Sequence, residues 1–206
     1  GERLDTLGQP EGEMLAVQTD APSMKALLAQ LDARVVLAND NAPNQVVLSG
    51  PAEGIDAARA LCEQNDLKAR LLPVATAFHS SVVSSAVTPF ETAVSKVRCK
   101  SPIVTTYANR TAEPYNVPVA KLANEIATQL AHPVRFREIV EAMYQDGART
   151  FVEVGPGSVL TTLVGHILGE RSHQAVSLDH KSTNSTVHFL SAIGAICVSG
   201  HELDLA

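Results

Sequence analysis

Between residues 13 and 75 the chain changes its hydrophobic period repeatedly, and the order of those changes leaves few folds open. "EMLAVQTD" (13–20) alternates weakly, as a half-buried strand does. "SMKALLAQLD" then sets Met24, Leu27, Leu28 and Leu31 at helical spacing behind Ser23, a residue type that caps helix starts. "RVVLANDNAPNQVVLSG" carries two β-branched runs around an Asn/Asp/Pro turn, which is a hairpin signal. "AEGIDAARALCEQND" returns to helical spacing with Ile55, Ala58, Leu61 and Cys62 on one face, and "LKARLLPVAT" closes the set as a strand. The order is βαββαβ, the split-βαβ or ferredoxin-like order, in a unit of about 60 residues whose small core makes it marginally stable.

Beyond residue 75 the pattern is different. "SSVVSSAVTPFETAVSKV" reads as a long helix broken near Pro89, and "PIVTTYAN" as a buried strand. "VAKLANEIATQLAHPV" and "RFREIVEAMYQDG" read as two helices, with Gly147 the stop of the second. "ARTFVEVGPG" is an apolar strand entering a glycine turn, followed by helix ("SVLTTLVGHILGE"), strand ("QAVSLD") and helix ("STVHFLSAIGAICVSG"). Strands alternating with helices imply parallel-sheet units, yet three strands are few for such a sheet, so something must extend or cover it. At the other end, "GERLDTL" reads like the tail of a helix whose front is missing, and the chain is expected to be a fragment.

Composition narrows the function classes. Apolar residues make up 45% of the 206, which fits an α/β protein and argues against disorder. Net charge is −6 without a basic cluster, which speaks against nucleic-acid or anionic-membrane partners. No apolar run reaches the length of a membrane span, and no signal-peptide pattern opens the chain. Cys62, Cys99 and Cys197 are odd in number and far apart, neither a zinc spacing nor a disulfide framework, so a reducing, cytoplasmic setting is expected.

The candidate chemistry centres on His79 in "TAFHSSVV". A lone histidine at a helix start is more commonly a packed or capping residue than a base. Two features favour a base: the place between strand and helix where open α/β sheets build sites, and a helix N-terminus that disfavours imidazolium. Ser80, Ser81, Ser84 and Ser85 are set aside as nucleophiles, since immediate neighbours seldom meet a base in line, and Ser80 and Ser81 suit the free N–H groups of a first helical turn. "VEVGPGSVL" lacks the GxGxxG and P-loop patterns and reads as a strand-to-helix turn. Asn39 and Asn41 in "ANDNAP" are turn formers that can also hold a site's backbone, and Gln129 in "QLAHPVRF" stands at a helix stop. The seven histidines show no metal-ligand spacing, and no GxSxG nucleophile elbow is present. The residues alone amount to half a site.

The ordered set "ANDNAPNQVVLSGP", "TAFHS", "YANRTAEPY", "QLAHPVRFREIVEAMYQDGARTFVEVGPGSVLT" and "LSAIGAICVSGHELDL" resembles the C-terminal part of the acyltransferases that load malonyl groups. These are the malonyl-CoA:acyl-carrier-protein transacylases and the acyltransferase domains of polyketide, fatty-acid and polyunsaturated-fatty-acid synthases. The resemblance implies a small ferredoxin-like subdomain (13–75) inserted in a larger α/β-hydrolase-like one, of which 76–182 is a part. Residues 1–12 would then be the end of a truncated helix and a linker, and 183–206 a helix and linker after the domain.

By the same resemblance His79 matches the family's general base, and Gln129 a glutamine whose backbone carbonyl orients that histidine. Asn39 and Asn41 fall in an Asn-rich segment bordering the cleft. Phe78 takes the position where a bulky ring accompanies malonyl rather than methylmalonyl selection. The expected substrates are malonyl-CoA and the phosphopantetheine thiol of an acyl carrier protein, with no metal or redox cofactor. The family's nucleophilic serine, and the arginine that pairs with the malonyl carboxylate, lie upstream of Gly1. The chain alone is therefore expected to be inactive, and its partners are the carrier protein, the N-terminal half of the domain and adjacent synthase domains. The alternatives are a non-catalytic interaction piece and a serine hydrolase of related fold.

Overall fold

The computed structural model describes residues 12–74, 76–181 and 184–204. The segment expected to end a helix before residue 12 lies outside them. Two compact units are present, one reaching Ile139 and the other starting at Val140. No helix among the described residues is long and apolar enough to cross a membrane.

The first unit begins with β1 (Glu13–Val17), α1 (Ala21–Leu28), β2 (Val36–Ala42), β3 (Gln45–Gly50), α2 (Ala52–Gln64) and β4 (Ala69–Leu71). The strands form one antiparallel sheet in the order β2-β3-β1-β4, the topology of a split βαβ unit. Alternation along β1 decides what each face covers. Leu15 and Val17 point to the side filled by Met24 of α1 and by Ile55 and Cys62 of α2, and all five are at most 1% exposed. Met14 and Ala16 face the opposite side, where Ala38, Val47 and Phe78 complete a smaller cluster. A Cβ at Gly54 would lie 2.5 Å from Val35 Cγ2, so the lack of a side chain there permits α2 to seat against the entry to β2.

Two local details differ from expectation. The cap of α1 is Asp20, whose Oδ1 accepts the Ser23 N–H at 2.7 Å while Ser23 Oγ donates to Oδ2 at 2.9 Å. Pro22 suits the first helical turn because it lacks an N–H, so the helix starts ahead of Ser23. The hairpin turn is also tighter than the Asn/Asp/Pro cluster suggested. β2 runs on through Asn39 and Asn41 to Ala42, with irregular register between Leu37 and Asn39 and between Asp40 and Ala42.

The expected long helix after His79 is a 3₁₀ segment (Ser81–Ala86) followed by α3 (Val87–Ser95). Pro89 sits in the first turn of α3, where its missing N–H is harmless, and its ring disfavours an α-helical path through the preceding turn. α4 (Val119–Thr128) continues into a 3₁₀ turn (Gln129–Ala131), and α5 (Phe136–Gln145) leads into the second unit. The strand expected at 102–109 is not formed. Ile103 is 100% and Val104 72% exposed, and only Tyr107 makes an isolated bridge, to Pro114. A β-branched run becomes a strand only when another strand pairs with it, and no described strand does so here.

The second unit holds β5 (Thr150–Glu153), α6 (Val159–Leu168), β6 (Gln174–Ser177) and α7 (Ser185–Val198), with β5 and β6 parallel. The Gly-Pro-Gly stretch is a turn in which Gly157 adopts φ +102°, and the Glu153 carboxylate accepts the Thr161 N–H at 2.7 Å. That agrees with reading it as a strand-to-helix turn.

Two outcomes follow from the core. Ile55→Ala is expected to lower the unfolding free energy by about 2–5 kcal/mol in urea titrations. Burial pushes the Cys62 thiol up, whereas Cys197 is exposed. Iodoacetamide should therefore label Cys197 rapidly in native protein and Cys62 only after unfolding, as read by peptide mass spectrometry.

Candidate active site

His79 does not follow a strand directly: β4 ends at Leu71, and residues 72–74 and 76–78 are in neither helix nor strand. The second of these stretches is seated close to the sheet, since a Cβ at Gly12 would lie 2.6 Å from the Cβ of fully buried Ala77. His79 itself has φ +61°, a left-handed conformation uncommon for a residue with a side chain. Such a conformation persists only where the surroundings hold it, and here three hydrogen bonds do. The His79 N–H donates to Leu130 O at 2.8 Å, while Nδ1 lies 3.0 Å from Gln129 O and 3.0 Å from His132 O.

Both ring partners are carbonyl oxygens, which can only accept, so in the neutral ring Nδ1 carries the proton and Nε2 keeps its lone pair. Among the described residues Nε2 has no hydrogen-bond partner. The result is an oriented, half-buried imidazole in the tautomer a general base requires. The helix expected to start beside the histidine is a six-residue 3₁₀ segment, and Ser80 Oγ accepts the Val82 N–H at 3.3 Å. Ser80 Oγ, the cap of that segment, also donates to Ala77 O at 2.7 Å.

The shelf that supplies these carbonyls is fastened to the sheet. Val134 donates its N–H to Ala38 O at 2.8 Å, and Asp40 donates its N–H to Val134 O at 3.0 Å, so residue 134 pairs with the outer edge of β2. Asp40, 7% exposed, accepts from Arg137 Nε at 3.1 Å and from Nη2 at 2.7 Å, a bidentate pair that fixes the start of α5. Next to it Arg135 Nε donates to Glu138 Oε1 at 2.8 Å, and that hydrogen bond holds the Glu138 carboxyl below its usual range.

The main-chain oxygen of Gln129 lies 3.0 Å from the imidazole Nδ1. The His132 carbonyl and the Asp40–Arg137 pair were not anticipated. The first lies in a non-repetitive turn, and the second joins residues far apart in the sequence. Phe78 is half-buried against Met14, Ala38 and Val47, on the small cluster beside the histidine turn. Asn41 Nδ2 donates to Gln45 Oε1 at 3.1 Å within the hairpin, and Asn39 Oδ1 is buried without a partner. No hydrogen bond joins either asparagine to His79 among the described residues. Nor does any group of three or more His, Cys, Asp or Glu side chains gather there as metal ligands would.

This mixed α/β chain belongs to the acyl transferase domain family, whose sequence profile matches residues 2–202. Among curated relatives it is 34% identical over 165 residues to the polyketide biosynthesis protein ThaF of Burkholderia thailandensis, an alignment covering 79% of this chain and 14% of that protein. It is 33% identical over 159 residues to the malonyl CoA-acyl carrier protein transacylase of Bacillus subtilis, covering 75% of this chain and 50% of that enzyme. The acyltransferase domain from the second module of the salinomycin polyketide synthase superposes with a TM-score of 0.87 at 26% identity, covering 97% of this chain and 47% of that one. The chain thus spans half or less of the length of these relatives.

Arg137→Met would leave the buried Asp40 carboxylate without its main partner, and should cost about 1–3 kcal/mol in denaturant unfolding. The Glu138 carboxyl has a folded pKa below its unfolded one. Its contribution is present above the unfolded value and is lost as pH falls through the folded value. Wild type should accordingly exceed Glu138→Gln in stability near neutral pH, and the two melting curves should converge in acid.

Proposed function

We propose that this chain supplies the general base of an acyltransferase that moves a malonyl group from coenzyme A to the phosphopantetheine thiol of an acyl carrier protein. The observation that carries the reading is the two-carbonyl grip on His79 Nδ1, which presents Nε2 as a proton acceptor, in a chain of the acyl transferase family. The nucleophile is a serine outside this sequence, which contains no GxSxG elbow. His79 Nε2 takes the serine proton as Oγ bonds to the thioester carbon. Collapse of the tetrahedral adduct breaks the C–S bond, and His79 gives the proton to the departing coenzyme A sulfur. The carrier thiol then loses its proton to His79, attacks the malonyl-serine ester and releases the serine, which recovers the proton. The route needs no metal or redox cofactor.

Gln129 and the His132 carbonyl take the place an aspartate holds in a Ser-His-Asp triad, fixing tautomer and direction without adding charge. Phe78, held against the sheet, crowds an α-methyl branch and selects malonyl over methylmalonyl. Asn39 and Asn41 border the substrate cleft from the β2 edge. Residues 13–75 serve as a small subdomain inserted in a larger α/β-hydrolase-like one to which 76–182 contribute, and 183–206 lead on to the next part of a synthase. The partners are the carrier protein, the other half of the acyltransferase and neighbouring synthase domains, in the cytoplasm.

A second reading, a non-catalytic interaction piece, draws support from the apolar segment at Ile103 and Val104, fully or largely exposed in this chain.

In the complete acyltransferase, His79→Ala should lower malonyl loading of the carrier about 10²–10⁴-fold with the fold unchanged by circular dichroism. Near wild-type loading would overturn the assignment and leave the interaction reading. Phe78→Ser should move the methylmalonyl-to-malonyl ratio of kcat/KM upward about tenfold or more, the scale of one hydrophobic contact. The 206-residue chain incubated alone with malonyl-CoA should gain no malonyl adduct by denaturing intact-mass spectrometry.

A further inference from the structure

The two carbonyls that grip His79 sit at the C-terminal end of α4 and in the turn beyond it, and a carbonyl is only as well aimed as the chain that carries it. Loop 107–115 meets that stretch on both flanks. The Asn109 N–H donates to Gln129 Oε1 at 3.0 Å, while the Asn109 carbonyl accepts the Arg135 N–H at 3.0 Å. A single residue of the loop therefore holds the side chain of the residue that carries the first gripping carbonyl and the backbone beyond the second. The remaining end of the Gln129 amide, Nε2, donates to the Tyr115 hydroxyl.

The loop is stiff enough to act as a clamp. Within it Ala108 N–H donates to Glu113 O at 2.9 Å, Ala112 N–H to Ala108 O at 2.9 Å, and Tyr115 N–H to Thr106 O at 2.8 Å. Two arginines anchor it outward: Arg110 to Glu125 of α4 at 2.7 Å, and Arg135 Nη1 to the Thr111 carbonyl at 2.8 Å.

We propose that Gln129, through its side-chain amide, together with Tyr115 and the Asn109 peptide, forms a positioning device that fixes the tautomer and direction of the His79 imidazole. The inference goes beyond the main-chain role of Gln129 and rests on His79 acting as a base only for its kinetic consequence. No part of the clamp touches the imidazole; it acts through the two carbonyls. Losing it frees the stretch from Gln129 to His132 to swing, so Nδ1–H loses its acceptors and the Nε2–H tautomer that free histidine favours gains population. A ring protonated on Nε2 cannot accept a proton there.

The test is two-bond ¹H–¹⁵N correlation of the histidine rings in the ¹⁵N-labelled 206-residue chain, which reports each tautomer separately. The wild type should show His79 as Nδ1–H. Gln129→Leu should shift His79 toward Nε2–H while the five histidines outside the stretch from Gln129 to His132 hold their signals. Tyr115→Phe should shift it in the same direction by less. Gln129→Glu should restore Nδ1–H, because a carboxylate accepts both the Asn109 N–H and the Tyr115 O–H. An unchanged His79 tautomer in a folded Gln129→Leu chain overturns the proposal. If Gln129→Leu does not fold, Tyr115→Phe, which removes one oxygen atom, decides on the same criterion. In the complete enzyme Gln129→Leu should lower kcat about tenfold with KM for malonyl-CoA little changed. Normal loading by His79→Ala would instead remove the function assigned to the base, and would leave the tautomer result standing by itself.

Discussion

The pairing of residue 134 with the outer edge of β2 is the contact on which the geometry of the first unit depends. Two backbone hydrogen bonds, reinforced by the Asp40–Arg137 pair, bring a segment more than ninety positions away onto the open rim of the four-stranded sheet. Edge strands left bare invite unwanted pairing, and here the rim is covered by the chain itself. Because the covering segment starts one residue beyond Pro133, the carbonyl of His132 is presented just outside the sheet, facing the histidine turn. Sheet, shelf and imidazole are thus one hydrogen-bonded series, in which the direction of the ring derives ultimately from the pleat of β2.

The partners of the histidine ring are uncharged carbonyls. A carboxylate beside Nδ1 would stabilise imidazolium by attraction, whereas two carbonyl dipoles orient the ring with a weaker pull. The left-handed backbone at His79 fits the same logic: local strain is tolerated because the Leu130 carbonyl and the shelf over-determine the residue. Around it the polar residues work as brackets, with Ser80 closing the turn below and Gln129 spanning to the neighbouring loop.

How much of this the sequence discloses depends on the range of the interaction. The βαββαβ order was legible because alternation at Leu15, Val17, Val46 and Leu48 and helical spacing at Ile55, Ala58 and Cys62 are local patterns with one solution. The segment at 102–109 misled for the opposite reason: a β-branched run states what it would do with a partner strand, and pairing is not a property of the run itself. Pro22 and Pro89 each moved a helix boundary in ways their ring chemistry explains after the fact. His79 was singled out from its place after an apolar run and Gln129 from a helix stop, and the roles expected of them came from the family's order of motifs. The spacing between them carries no periodicity, and neither Asp40 with Arg137 nor Asn109 with Gln129 leaves any trace in a one-dimensional pattern.

Placing the acceptor in the main chain has a genetic corollary. An aspartate in that position could be deleted by a single codon change and would be exposed by any alanine scan. The oxygen of Gln129 survives every substitution at its own position, since each amino acid brings an identical carbonyl. Mutagenesis can tilt this group but never erase it, so a scan that ranks residues by loss on replacement will undercount it. Only an edit of the backbone itself, such as replacing the following amide by an ester to weaken the carbonyl as an acceptor, would reach the group that orients the ring.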